Sequence, residues 1–111
     1  MAETMMFLLD EMVRREASDL HLTAGAPSFL RVAGRLQPMS SVSSAELAAW
    51  LDARGDVCAR LREARTGVDF AFTHAGRRLR GNAYLARGAV ALTLRHPLLG
   101  SSLWSSGWRM L

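Results

Sequence analysis

The residues best placed to do chemistry are two arginines that a short turn brings together. Arg78 to Leu85 and Ala89 to Arg95 both alternate polar and apolar residues, and Arg87-Gly88 between them suits a two-residue hairpin turn. That turn sets Arg80 opposite Arg95, Asn82 opposite Thr93 and Tyr84 opposite Ala91, all on one face. Leu79, Ala83, Leu85, Val90, Leu92 and Leu94 collect on the other. Like charges directly across a strand pair repel. Such a pair is either solvated on an exposed face or offset by an anion, and the sequence leaves both open. Two planar guanidinium forks on a rigid sheet could grip one phosphate group.

Other candidates for chemistry are weaker. Asp19 and His21 sit on the polar side of a short alternating segment, where structural hydrogen bonding to a neighbouring loop is the expected role. His74 and His96 stand isolated in the sequence. No second His or Cys lies at ligand spacing, so no metal site is expected. Cys58, the single cysteine, excludes an intrachain disulfide and falls among apolar-spaced residues, so it reads as a buried, inert thiol.

The 111 residues amount to one domain, and 50% hydrophobic with 22% charged residues is globular composition. All 14 basic residues are arginine, giving a net charge of +4. Arginine excess accords with phosphate contact, but the arginines are spread along the chain and cluster only at Arg77, Arg78 and Arg80. A lysine-free, Ala- and Gly-rich chain is explained first by a GC-rich coding bias. Met1 to Leu9 lacks the basic start of a signal peptide, and no apolar run is long enough to span a bilayer, so a cytoplasmic chain is expected.

The elements that must position the arginines follow from periodicity. Met5, Leu8, Leu9, Met12 and Val13 recur at helical spacing, with Asp10, Glu11, Arg14 and Arg15 on the other side, until about Ala17. The period then changes to two. Asp19 to Thr23 reads as a strand buried through Leu20 and Leu22, followed by strands at Phe29–Val32 and Arg35–Met39 joined at Ala33-Gly34. Ser43 with Glu46 three residues on forms a capping-box signature for a helix carrying Leu47, Trp50 and Leu51 up to Gly55. Asp56 is the expected cap of a second helix bearing Val57, Leu61 and Ala64. Val68, Phe70 and Phe72 form the next strand, turned at Ala75-Gly76. Helix, three strands, two helices and three strands indicate an α+β domain with a mainly antiparallel six-stranded sheet.

These segments resemble the N-terminal domain of the type II/IV secretion and type IV pilus motor ATPases, the pilus-retraction branch above all. The resemblance rests on Ala17-Ser18-Asp19-Leu20-His21-Leu22, on Gly25-Ala26-Pro27 with Arg31, Gly34 and Leu36, and on Asp69-Phe70. Arg78 to Tyr84, Arg87-Gly88 and Leu94-Arg95 with Pro97 extend it in the same order. It covers roughly residues 5 to 97. It implies a PAS-like domain preceding a RecA-like core in a homohexameric ring at the inner-membrane face, working with pilus or secretion platform proteins in twitching motility. It implies ATP, with Mg²⁺ in the full-length family, held between the two domains. By motif position Arg80 and Arg95 would reach its phosphates, with Arg87 and Arg78 weaker candidates, Arg87 as a turn residue and Arg78 as a subunit contact.

Two departures qualify the resemblance. Gly81 replaces a branched apolar residue, which should weaken its strand modestly. The chain has no lysine, so it holds no G-x-x-x-x-G-K-[ST] phosphate loop, and no acidic Mg²⁺-binding segment follows a hydrophobic strand. Alone it is expected to bind ATP no more than weakly and not to hydrolyse it.

Residues 98–111 break from the family. They are rich in Ser and Trp where a Leu-Glu-rich linker is implied, and read as a frameshifted or truncated linker after a 1–97 domain. An authentic tail packing Trp104, Trp108 and Leu111 on the domain or a membrane surface ranks second. A stand-alone PAS-like sensory or interaction module is the alternative function. It would need an enclosed pocket, whereas Phe7, Phe29, Trp50, Phe70, Phe72 and Tyr84 fall mostly on expected core positions. Nucleic-acid binding is disfavoured because Tyr84 alone interleaves with arginines.

Overall fold

The computed structural model describes residues 3–64 and 66–97. The reading of residues 98–111 lies outside them. The chain runs α1 (Glu3–Arg14), β1 (Asp19–Thr23), β2 (Pro27–Val32), β3 (Arg35–Ser41), α2 (Ser44–Asp52), α3 (Val57–Ala64), β4 (Val68–His74), β5 (Arg77–Ala86) and β6 (Ala89–Arg95). The strands form one sheet in the order β3-β2-β1-β6-β5-β4, with every neighbouring pair antiparallel. This is the expected α+β architecture of three helices and six strands. Two meanders, β1–β3 and β4–β6, meet where β1 pairs with β6, and α2 and α3 carry the chain from one sheet edge to the other.

Three tight turns at the expected dipeptides set the meanders. Ala33-Gly34, Ala75-Gly76 and Arg87-Gly88 each have positive φ at both residues, 52° and 82°, 50° and 77°, 54° and 82°. That is the backbone twist that joins antiparallel strands without splaying them.

The core lies on one face of the sheet. Leu20, Leu22, Leu30, Leu79, Ala83, Leu92 and Leu94 are buried there beneath Met5, Leu8, Leu9 and Met12 of α1, Leu47, Trp50 and Leu51 of α2, and Val57 and Leu61 of α3. Several expectations need correction. Leu85, near the hairpin tip, extends past this layer and is exposed. Phe7 and Phe29 are exposed rather than core, Phe29 on the outward parity of its strand, while Tyr84 is exposed on the outer face as the hairpin spacing indicates. Ser43 caps α2 by accepting the Glu46 N–H at 3.1 Å, but Glu46 does not close the box. Its carboxylate instead accepts the Met5 N–H at 2.7 Å, satisfying one of the unpaired amides in the first turn of α1. Asp52, not Asp56, caps α3, its Oδ1 accepting the Cys58 N–H at 3.0 Å. Asp56 takes a positive φ of 56°, unlike the extended backbone of an N-cap.

Glu11 was expected on the solvent side of α1 and is instead buried. Arg14 grips both its oxygens, at 2.7 and 2.9 Å, and Arg15 donates to Oε1 at 2.7 Å while reaching Gln37 of β3 at 2.6 Å. The Arg14 hydrogen bonds foremost, with Arg15 adding to them against the opposing effect of burial, hold the Glu11 carboxyl down at about 2 instead of 4.5. A carboxylate whose folded pKa is depressed stabilises the fold above its unfolded pKa and loses that contribution as pH falls. The melting temperature should therefore drop as pH is lowered from 4.5 toward about 2. In Glu11→Gln, pH-dependent melting curves should show less of this drop; an undiminished drop would assign it to other carboxylates.

Candidate anion-binding cleft

The sheet face opposite the helices carries the polar residues, because the alternation that buries Leu20, Leu30, Leu79 and Leu94 turns their neighbours outward. Strand register aligns these neighbours in rows. In one row Arg31 faces Asp19, Asp19 faces Arg95, Arg95 faces Arg80, and Arg80 faces Ala71. In the next, Phe29, His21, Thr93, Asn82 and Asp69 follow across the same five strands. An open cleft of about 450 Å³ is lined by Asp69, Arg80, Gly81, Asn82, Thr93 and Arg95.

Asp19 organises the first row. It is 8% exposed, and Arg95 Nε donates to its Oδ1 at 2.8 Å. Arg31 Nε lies 3.6 Å from Oδ2, which also accepts the Ser18 hydroxyl at 2.8 Å. Each ion pair is worth no more than about 1 kcal/mol, since both arginine side chains are nearly half exposed to water. The larger consequence is orientation: Asp19 ties Arg95 by its Nε. The carboxylate thus bridges arginines on the two neighbouring strands rather than tying its strand to a loop. Arg80 has no ion-pair partner among the described residues. Three guanidiniums against one carboxylate leave the row cationic.

His21, in the second row, has its pKa pushed below 6.5 by burial, with Arg31 and Arg95 adding to this and Asp19 opposing it. The shift favours its neutral form. Its Nδ1 is 3.5 Å from Thr93 Oγ1. No group of three or more His, Cys, Asp or Glu among the described residues is placed to hold a metal.

Arg80 and Arg95 are brought face to face as the hairpin spacing indicates. Arg87 is not brought to them. It occupies the turn at the tip of the same hairpin, seven residues and roughly 20 Å along the strand. Arg78 lies one row from Arg80 on the outer face, donating to Thr73 Oγ1 at 3.2 Å. The two histidines that look isolated in sequence have partners. His74 Nε2 meets Asp10 Oδ1 at 2.7 Å, and buried His96 lies 3.5 Å from an Arg77 nitrogen. Cys58 is buried, and burial pushes its thiol pKa up, the state of an unreactive thiol. Sequence reasoning did not single out Asp69 or Arg31 as site residues. Their strand parity was readable, but their proximity to the arginine pair depends on which strands become neighbours.

No protein-family model and no curated protein matches the sequence. Solved structures do. The Legionella pneumophila ATPase DotB superposes with a TM-score of 0.62 at 26% identity, over 82% of this chain and 28% of that one. The pilus retraction motor PilT, solved with bound ADP, gives 0.62 at 31% identity over 81% and 28%. The Yersinia pseudotuberculosis ATPase DotB shares the fold, with a TM-score of 0.61 at 20% identity over 82% and 29%. In fold the chain is similar to one domain of these secretion-type ATPases. More particularly, it resembles one domain of the PilT and DotB ATPases and spans little more than a quarter of their length.

Proposed function

We propose that this chain supplies the N-terminal, phosphate-contacting domain of a PilT-like pilus-retraction motor, with Arg80 and Arg95 reaching the phosphates of ATP. The carrying observation is the pairing of these two arginines on a rigid, exposed sheet, with Asp19 holding one of them. The group fits: a polyphosphate needs fork-shaped donors on one open surface, and the cleft is open and flanked by both guanidiniums. An apolar sensor ligand would need enclosure instead. The structure places two aromatics, Phe29 and Tyr84, on the outer face, but the arginines converge on one cleft rather than tracking a strand of nucleic acid.

In this reading residues 1–97 are the domain and 98–111 its altered linker. Hydrolysis belongs to a core carrying the phosphate loop and Mg²⁺, which the lysine-free chain does not provide. The working assembly is a hexameric ring at the cytoplasmic face of the inner membrane, engaging a pilus or secretion platform. No helix among the described residues is long and apolar enough to cross a membrane.

Titration of the chain with inorganic tripolyphosphate, followed by two-dimensional NMR, tests the phosphate site. Weak binding with a Kd on the order of 1 mM is expected. It should weaken at least about tenfold in the Arg80→Ala, Arg95→Ala double variant, the loss of two charge-assisted contacts. Equal binding by both proteins would remove the arginines from the site.

A further inference from the structure

The cleft is polar at both ends, but in opposite senses. Arg80 and Arg95 stand at one end; Asp69, Asn82 and Thr93 stand one row along the same strands. Same-face residues on a strand are about 7 Å apart. Asn82 Nδ2 donates to Asp69 Oδ1 at 2.7 Å. The amide fits because position 67 is glycine: a Cβ there would come within 2.7 Å of Asn82 Nδ2 and 3.2 Å of its Oδ1. Asn82 therefore lodges against backbone on one side and the carboxylate on the other.

An ionised carboxylate can only accept hydrogen bonds. Whatever lies against Asp69 must bring donors, and a phosphate oxygen there would be repelled. A bare polyphosphate extended along both rows is thus favoured at one end and opposed at the other. A molecule with phosphate at one end and hydroxyl groups about 7 Å away suits both. The geometry points to Asp69 as a hydroxyl-binding residue, oriented by Asn82, that takes the vicinal diol of a ribose and so selects nucleoside polyphosphates over inorganic polyphosphate. This rests on the phosphate reading of Arg80 and Arg95. Thr93, whose hydroxyl both donates and accepts, lines the same end.

The test compares ATP, 2′,3′-dideoxy-ATP and inorganic tripolyphosphate on the full chain by NMR titration at fixed ionic strength, with Asp69→Ala and Asp69→Asn. The unaltered chain should bind ATP about fivefold more tightly than the dideoxy compound. Asp69→Ala should move the ligands in opposite directions, ATP weakening about fivefold and tripolyphosphate tightening about threefold as the like charge disappears. Asp69→Asn keeps an acceptor without the charge, so it should tighten tripolyphosphate while retaining most ATP affinity. The spectra report that each variant is folded. Equal tightening of all three ligands in Asp69→Ala, or equal affinity of the unaltered chain for ATP and its dideoxy form, overturns the ribose assignment while leaving the phosphate site intact. No binding of any ligand to the unaltered chain overturns both.

Discussion

Trp50→Ala should cost about 3–5 kcal/mol, the largest loss expected of a single substitution in this domain. Trp50 is 3% exposed and projects from α2 onto β4. Its ring meets Phe72 edge-on at 5.1 Å and Phe70 at 6.0 Å, while the two phenylalanines stack at 5.9 Å. The Arg54 guanidinium lies 4.2 Å from the indole and 5.5 Å from the Phe72 ring. Aromatic pairs of this kind add about 0.5–1.5 kcal/mol each beyond burial. Among the described residues β4 is an edge strand, hydrogen-bonded only to β5, so much of what holds its inner face is this cluster. Against a total stability of about 5–15 kcal/mol, the loss corresponds to a melting temperature lower by roughly 15–30 °C. Thermal and urea denaturation followed by circular dichroism measure it. Trp50→Phe should fall between the two. A loss under about 1 kcal/mol would mean that β4 is held chiefly by its pairing with β5.

Gly81→Val is the second, and its sign separates sequence from structure. In sequence terms valine belongs in a strand and glycine weakens it, so the substitution should stabilise. The structure reverses this. Gly81 pairs directly with Phe70, and a Cβ at position 81 would lie 2.5 Å from Phe70 Cζ and 2.9 Å from both Cε atoms. The ring covers the glycine and cannot retreat without disturbing Trp50 and Phe72. Overpacking of this kind costs about 1–3 kcal/mol. Arg80 and Asn82 flank the position, so displacement of the strand should also weaken tripolyphosphate binding. The companion change Phe70→Ala in the valine background should recover part of the loss. Unchanged or raised stability in Gly81→Val alone would show that the ring relocates freely.

Local features were legible wherever the hydrogen bonds that decide them are local. Ala33-Gly34, Ala75-Gly76 and Arg87-Gly88 sit between alternating runs, and each forms the turn that such a dipeptide favours. Once the last of these turns exists, the opposition of Arg80 and Arg95 follows by counting residues. Ser43 at the start of α2 was equally readable, since its hydroxyl needs a partner only three residues away.

Side chains with a choice of partner were not legible. Glu46 could close its own box or serve α1, and the approach of Met5, 41 residues away, gave it the better donor. Glu11 reads as a solvent-facing charge until Arg14 and Arg15 enclose it beside β3. Phe29 looks like core by composition, yet its parity turns it to the outer face.

By itself the sequence determined the elements, the tight turns and therefore the arginine pair, because each rests on contacts within a few residues. The meeting of β1 with β6 was decided only by tertiary structure. That pairing sets Asp19 against Arg95 across 76 residues of chain. It joins the two meanders so that their leucines share one core beneath the helices. The pairing is settled by how the whole apolar face is buried, and no local spacing carries that information.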